Sequence, residues 1–242
     1  MEIIQGLVTK CSKYKDNDAI INIINDNGED AIIIRGAYSK NSKYLKYAKT
    51  FYYAKFETYK GNYSYKKLKD VSVIKDFNLL FNNYSNFAYF ELIKEFFSKI
   101  YIKEDASILL KLLITTFNRI ESTNKIIEYT TLFLGYSLKI SGYGINVNLE
   151  CARCKSKKVS FNFSIPQGAF VCNNCLECND IILSNEEVDL LTSTFSNKYI
   201  ETEKLLTLIN IDYIKIILLF CRLFSYYSDN RIISTDLIKV HW

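Results

Sequence analysis

Residues 19–34 read Ala-Ile-Ile-Asn-Ile-Ile-Asn-Asp-Asn-Gly-Glu-Asp-Ala-Ile-Ile-Ile. Two β-branched runs flank a short polar break. Asn27-Gly28 is a strong hairpin signal, because both residues tolerate positive φ. Strand signals continue on both sides. Gly6 to Thr9 begins one strand, with Ile3, Ile4, Leu7 and Val8 as its apolar positions. Phe51 to Tyr59 is another, Lys60-Gly61-Asn62 a tight turn, and Tyr63 to Ile74 a further strand. Five short strands in about 75 residues suit a small closed barrel such as the OB-fold.

From Asp76 the period becomes helical. Leu79, Leu80, Phe87, Phe90, Ile93, Phe96, Phe97 and Ile100 fit one helix or two. Asp105 to Ile120 and Asn124 to Ile140 are further helical stretches, the latter stopped near Gly142 and Gly144. Ser184-Asn-Glu-Glu187 is a capping box opening a helix to about Phe195. Glu201 to Tyr227 reads as the last long helix. The expectation is an α+β chain. Residues 1–76 form an OB-fold nucleic-acid-binding domain. Residues 77–242 form a helical domain carrying a Cys-rich insert at about 149–180.

Charge is unevenly spread. The chain has 242 residues and a net charge of +5. Residues 1–30 carry −3, residues 35–69 carry +9, and residues 70–242 carry −1. The basic segment holds Arg35, Lys40, Lys43, Lys46, Lys49, Lys55, Lys60, Lys66, Lys67 and Lys69 against Glu57 alone, and ten aromatics are interleaved. Phosphates need dispersed cations and unpaired bases need π-faces, so the pattern points to single-strand binding. The competing reading is a solvated Lys-rich surface over a β core.

Cys151-x2-Cys154 and Cys172-x2-Cys175 form two knuckles 17 residues apart. Together they make a four-thiolate set that Zn²⁺ accepts. Unliganded cysteines and an iron–sulfur cluster are the alternatives, and no Cys-Pro supports the cluster. Cys178 is either a spare ligand or a small half-buried residue. Four thiolates leave no open position, so the site is expected to be structural. Arg153, Lys155, Lys157 and Lys158 either offset thiolate charge or touch phosphate. Cys11 and Cys221 read as buried fillers.

No Gly-rich phosphate loop, nucleophile elbow or zinc-protease helix is present. The single His, His241, lies beside the C-terminus. No enzyme is expected. The N-terminus lacks a signal-peptide pattern. The apolar window Leu205 to Phe224 contains Asp212, Lys215 and Arg222, so it reads as a buried helix rather than a membrane span. A cytoplasmic protein is expected.

The order of parts resembles the RecO family of bacterial recombination mediators, from about Gln5 to Ile233. The resemblance rests on Gly6-Leu-Val, Tyr14-Lys-Asp-Asn-Asp18 and Arg35-Gly36-Ala37 with Ser39, Lys40, Ser42 and Lys43. It continues through Tyr59-Lys-Gly61, Leu134-Gly135-Tyr136, the two Cys pairs, Phe163-Ser164, Gly168, Phe224-x-Tyr226 and Asn230-Arg231. Lys155 stands where a Gly is common, Ala169 replaces a second Gly, and Cys178 is extra. The resemblance implies binding of single- and double-stranded DNA and annealing of complementary strands. It also implies action with RecR and RecF to load RecA onto strands coated by single-stranded DNA-binding protein. It implies a nucleoid-associated protein. Arg35, Lys40, Lys43, Lys46 and Lys49 are the expected phosphate contacts, with Tyr38 and Tyr44 as stacking residues. A basic-rimmed groove between helices, with Arg222 on it, is expected for the acidic tail of the single-stranded DNA-binding protein. A protein-interaction adaptor with an incidental basic surface is the alternative, and a nuclease with an unseen carboxylate site a third.

Overall fold

The computed structural model describes residues 1–59, 65–81, 84–101, 103–157, 160–196, 206 and 210–239. The chain divides into two compact units, Met1–Phe87 with Tyr101–Phe117, and Ala88–Ile100 with Asn118–Trp242.

The first unit contains β1 (Glu2–Tyr14), β2 (Asp18–Asn25), β3 (Gly28–Ile34), β4 (Tyr52–Tyr59) and β5 (Lys66–Asp76). They close into a barrel in the order β1-β2-β3-β5-β4. β3 and β5 pair in parallel and the other pairs are antiparallel. That order is the OB-fold. Closure depends on β1 serving two partners. Its first half pairs with β4 and its second half with β2, and Leu7 faces Tyr53 on one side and Ile24 on the other. Gly6 permits the crossing, since an added Cβ would strike the Ile24 carbonyl and lie 2.6 Å from Ile23 Cγ2. Alternate residues point inward, and Val8, Ile21, Ile23, Ile32, Ile34, Tyr52 and Phe56 fill the interior.

The β2–β3 hairpin differs from the expected turn by one residue. Asn25 pairs with Gly28, so Asp26 and Asn27 occupy the loop. The Asn27 N–H donates to Asn25 Oδ1 at 2.7 Å, and Gly28 alone takes positive φ, at 120°. A side-chain cap replaces the pair of left-handed residues that Asn-Gly suggested.

The helical elements are α1 (Tyr84–Ile100), α2 (Ala106–Thr123), α3 (Ile126–Ile140), α4 (Asn185–Phe195), α5 (Tyr213–Ser228) and α6 (Thr235–Lys239). A short 3-10 turn, Phe77–Phe81, precedes α1. Phe87 is an exception to the expected core, being exposed. In the second unit α3 packs against α4 and α5. Gly135 sets their closeness, because a Cβ there would lie 2.7 Å from Thr194 Cγ2 and 3.1 Å from Phe220. The expected helix from Glu201 to Tyr227 is not continuous. Residues 210–212 are not helical, Asp212 caps α5 by accepting from the Lys215 N–H, and 201–205 lie outside the described residues. The Ser184 capping box forms as read, with Ser184 Oγ accepting from Glu187 N and Glu187 Oε2 from Ser184 N. Between α3 and α4 lies the insert, built on the antiparallel hairpin β6 (Phe161–Ser164) and β7 (Ala169–Cys172).

Candidate nucleic-acid interface and metal centre

The β3–β4 connection, residues 35–51, carries the expected DNA contacts. It contains one 3-10 turn, Leu45–Tyr47. It is fastened to the β1–β2 turn by Gly36 N–H donating to Asp18 Oδ1 at 2.8 Å and Tyr38 N–H to the Asn17 carbonyl at 2.9 Å. Tyr38, Tyr44 and Tyr47 turn inward and pack, half-buried, on the barrel core. That leaves the cations outside. Arg35, Lys40, Lys43 and Lys46 are exposed and make no salt bridge among the described residues. Lys43 Nζ lies 4.9 Å from the Tyr44 ring centroid and Lys46 Nζ 4.9 Å from that of Tyr47.

Other cations of the segment are used internally. Lys49 pairs with Asp76 at 2.5 Å. Burial pushes the Asp76 carboxyl up, but Lys49 and the Asn78 hydrogen bonds outweigh it and hold it low. Lys66 bridges Glu2 and Asp30 at 2.7 Å each, and Lys69 meets Glu57 at 3.0 Å. Lys60 lies outside the described residues. The structure also adds cations that the charge count set aside: Lys13, near the end of β1, and Lys15, in the turn to which the connection is fastened, are exposed although they lie in the net-acidic first thirty residues.

The four cysteines converge. The Sγ atoms of Cys151, Cys154, Cys172 and Cys175 all lie within 4.8 Å of one another. Cys154 and Cys172 are 3.6 Å apart. A tetrahedral ion with metal–sulfur bonds of about 2.3 Å has sulfur–sulfur edges of about 3.8 Å, so the donor set fits such an ion. Burial pushes the Cys151 thiol up, but N–H groups of Cys154, Cys172 and Arg153 outweigh it and bring it down to about 6. The Cys154 and Cys172 thiols beside Cys175 push it up to about 12. The Ser156 hydroxyl and N–H draw the Cys154 thiol down as well. Lys155 sits at φ 63°, the left-handed conformation that favours Gly at this place in the knuckle. Cys178 is exposed and lies outside the cluster, so it is neither ligand nor half-buried filler. Cys11 is half-buried against the barrel core and Cys221 is buried.

Arg153 is not a surface charge. It reaches the Cys175 carbonyl, Glu177 at 3.0 Å, and Asp180 through two contacts of 2.5 and 3.2 Å. The Asp180 side chain is buried, which pushes its carboxyl up, yet Arg153 and the Glu177 N–H hold it low. The arginine therefore ties the two knuckles together. Lys155 and Lys157 remain exposed, within 3.9 and 3.4 Å of Glu150. Lys158 and His241 lie outside the described residues.

Arg222 of α5 lines a groove of about 450 Å³ with Ile165, Leu218, Tyr226, Arg231 and Ile232. Arg231 pairs with Asp236 at 3.1 Å. Among the described residues, no helix is long and apolar enough to cross a membrane.

Residues 82–203, half of the chain, match the family described as Recombination protein O C terminal. Three proteins named DNA repair protein RecO align with 71% of the chain. The one from Clostridium acetobutylicum is 28% identical over 176 residues, 70% of its own length. The one from Clostridium novyi is 25% identical, over 68% of its length, and the one from Lactobacillus acidophilus 23%, over 69%. The family match spans half of the chain and contains the four-cysteine insert, and the chain belongs to the recombination protein O (RecO) family.

Proposed function

We propose that this chain is a DNA repair and recombination mediator. It holds single- and double-stranded DNA on its barrel and anneals complementary strands. With RecR and RecF it helps to load RecA onto strands coated by single-stranded DNA-binding protein. The observation that carries this reading is the run Arg35, Lys40, Lys43 and Lys46, exposed on one connection whose aromatics face inward. Cations without acidic partners are available to phosphate, and such contacts set affinity without reading sequence. Lys49 is held by Asp76 and contributes less. No step in this reading needs a catalytic residue.

The four cysteines hold one structural Zn²⁺ per chain, which replaces core in the small insert. The groove beside Arg222 and Arg231 receives the tail of the single-stranded DNA-binding protein, an acidic peptide with an apolar end. Arg222 on its rim and its apolar lining support that assignment, with Arg231 paired to Asp236 beside them. The protein works in the bacterial cytoplasm, at the nucleoid. Reversing Lys40, Lys43 and Lys46 to Glu is expected to weaken binding to single strands of unrelated sequence by one common factor. Unchanged affinity in a fluorescence-anisotropy titration would place the DNA elsewhere.

A further inference from the structure

We infer that Tyr14 and Tyr65 form a stacking step for unpaired bases at one end of the barrel, with Lys15 and Arg35 as its phosphate partners. This rests on the DNA-binding reading above and moves the aromatic part of it away from Tyr38 and Tyr44. Those two rings pack half-buried on the barrel core, so part of each is taken up by packing.

The Tyr14 and Tyr65 rings approach to 6.2 Å between centroids at 54°. Tyr65 is 40% exposed and Tyr14 is only partly buried. Two large rings thus meet outside the barrel interior, leaving π-surface toward solvent. They come from opposite ends of the domain's sequence, one closing β1 and one just before β5.

Cations gather at the same place. Lys15 Nζ lies 5.4 Å from the Tyr14 centroid. Lys15 also holds φ 53°, a left-handed conformation that Gly or Asn would adopt with less strain. Arg35 is exposed and adjoins Gly36, which is hydrogen-bonded to Asp18 of the same turn. Beyond Tyr65 in β5, Lys67 lies over the exposed ring of Tyr59 at 5.6 Å, extending the pattern of ring plus cation.

This chemistry selects single strands. In a duplex the base faces are stacked on one another and closed to side chains. In a single strand each base offers a π-face, while the neighbouring phosphates offer charge to Lys15 and Arg35. A lysine resting over a ring is displaced toward phosphate when a base takes its place. The step therefore provides discrimination between single- and double-stranded DNA that a run of lysines alone does not.

The test uses the full chain and three labelled probes: oligothymidine, an abasic strand of the same length, and a duplex. Wild-type protein is expected to bind oligothymidine at least about five-fold more tightly than the abasic strand. Tyr65→Ala, which lies outside the barrel core, is expected to abolish that preference and leave duplex affinity unchanged. Tyr14→Ala should do the same, and Tyr65→Phe should restore the preference. Equal wild-type affinity for the base-bearing and abasic strands overturns the stacking step while leaving electrostatic binding intact. So does a preference that survives both alanine variants. Failure of wild-type protein to bind any of the probes overturns both this step and the DNA-binding reading.

Discussion

Glu95, on α1, shows how much one carboxylate can organise. It accepts from Ile233 N–H at 2.9 Å, Ser234 N–H at 2.7 Å, the Ser234 hydroxyl, and Lys99 Nζ at 2.7 Å. Burial pushes its carboxyl up, but these donors outweigh burial and hold it at about 2, against an ordinary 4.5. A depressed folded pKa means stabilisation present above pH 4.5 and lost as pH falls toward 2. Glu95→Gln is expected to lower stability at pH 7 by about 1–3 kcal/mol. Urea unfolding at pH 7 and pH 3 should show the gap between wild type and variant closing in acid. Neither Glu95 nor Arg153 was legible as a clamp in the sequence. Glu95 meets residues more than 130 positions away, and Arg153 meets Asp180 across 27 positions. Local pattern carries no trace of such pairs. The convergence of the four cysteines was legible, because spacing within a knuckle is itself a local property.

Elements were legible where their signals are local. The five strands follow β-branched alternation, and the capping box at Ser184 is a four-residue pattern. What escaped is the second task of Glu187, whose Oε1 also accepts from Asp212 N–H at 3.1 Å and whose Oε2 meets Lys215 Nζ at 2.6 Å. The apolar period from Leu205 concealed the break at residues 210–212 and the Asp212 cap, since hydrophobicity does not stop where the helix does. Close packing of α3 on α4 and α5 gives a direct prediction. Gly135→Ala forces a methyl group against Thr194 and Phe220 and is expected to cost about 1–3 kcal/mol, read as a lowered urea midpoint. The insert gives another. Protein purified without chelator is expected to carry about one zinc per chain, and its removal to expose residues 149–180 to protease. Zero zinc in folded, fully reduced protein would contradict the metal assignment.

At the scale of the whole molecule, a net charge of +5 conceals one strongly basic segment, residues 35–69, beside a net-acidic start. Counting along the chain finds the basic segment but not which of its cations are paired. Parallel pairing of β3 with β5 places Lys66 against Asp30, and Lys49 reaches Asp76 across 27 residues. Those cations are neutralised where they stand. Conversely, Lys15 sits in a segment of net −3, yet the fold delivers it to the turn against which Arg35–Tyr38 is fastened. Charge summed by position and charge summed in space differ because β pairing joins distant residues. The central claim is that exposed cations hold the DNA backbone. Its most direct test is the affinity of the full chain for a labelled single strand, titrated from low to moderate salt. Four phosphate contacts predict that log affinity falls linearly with log salt, with a slope of about −3. An affinity that stays flat across the same range would contradict the account.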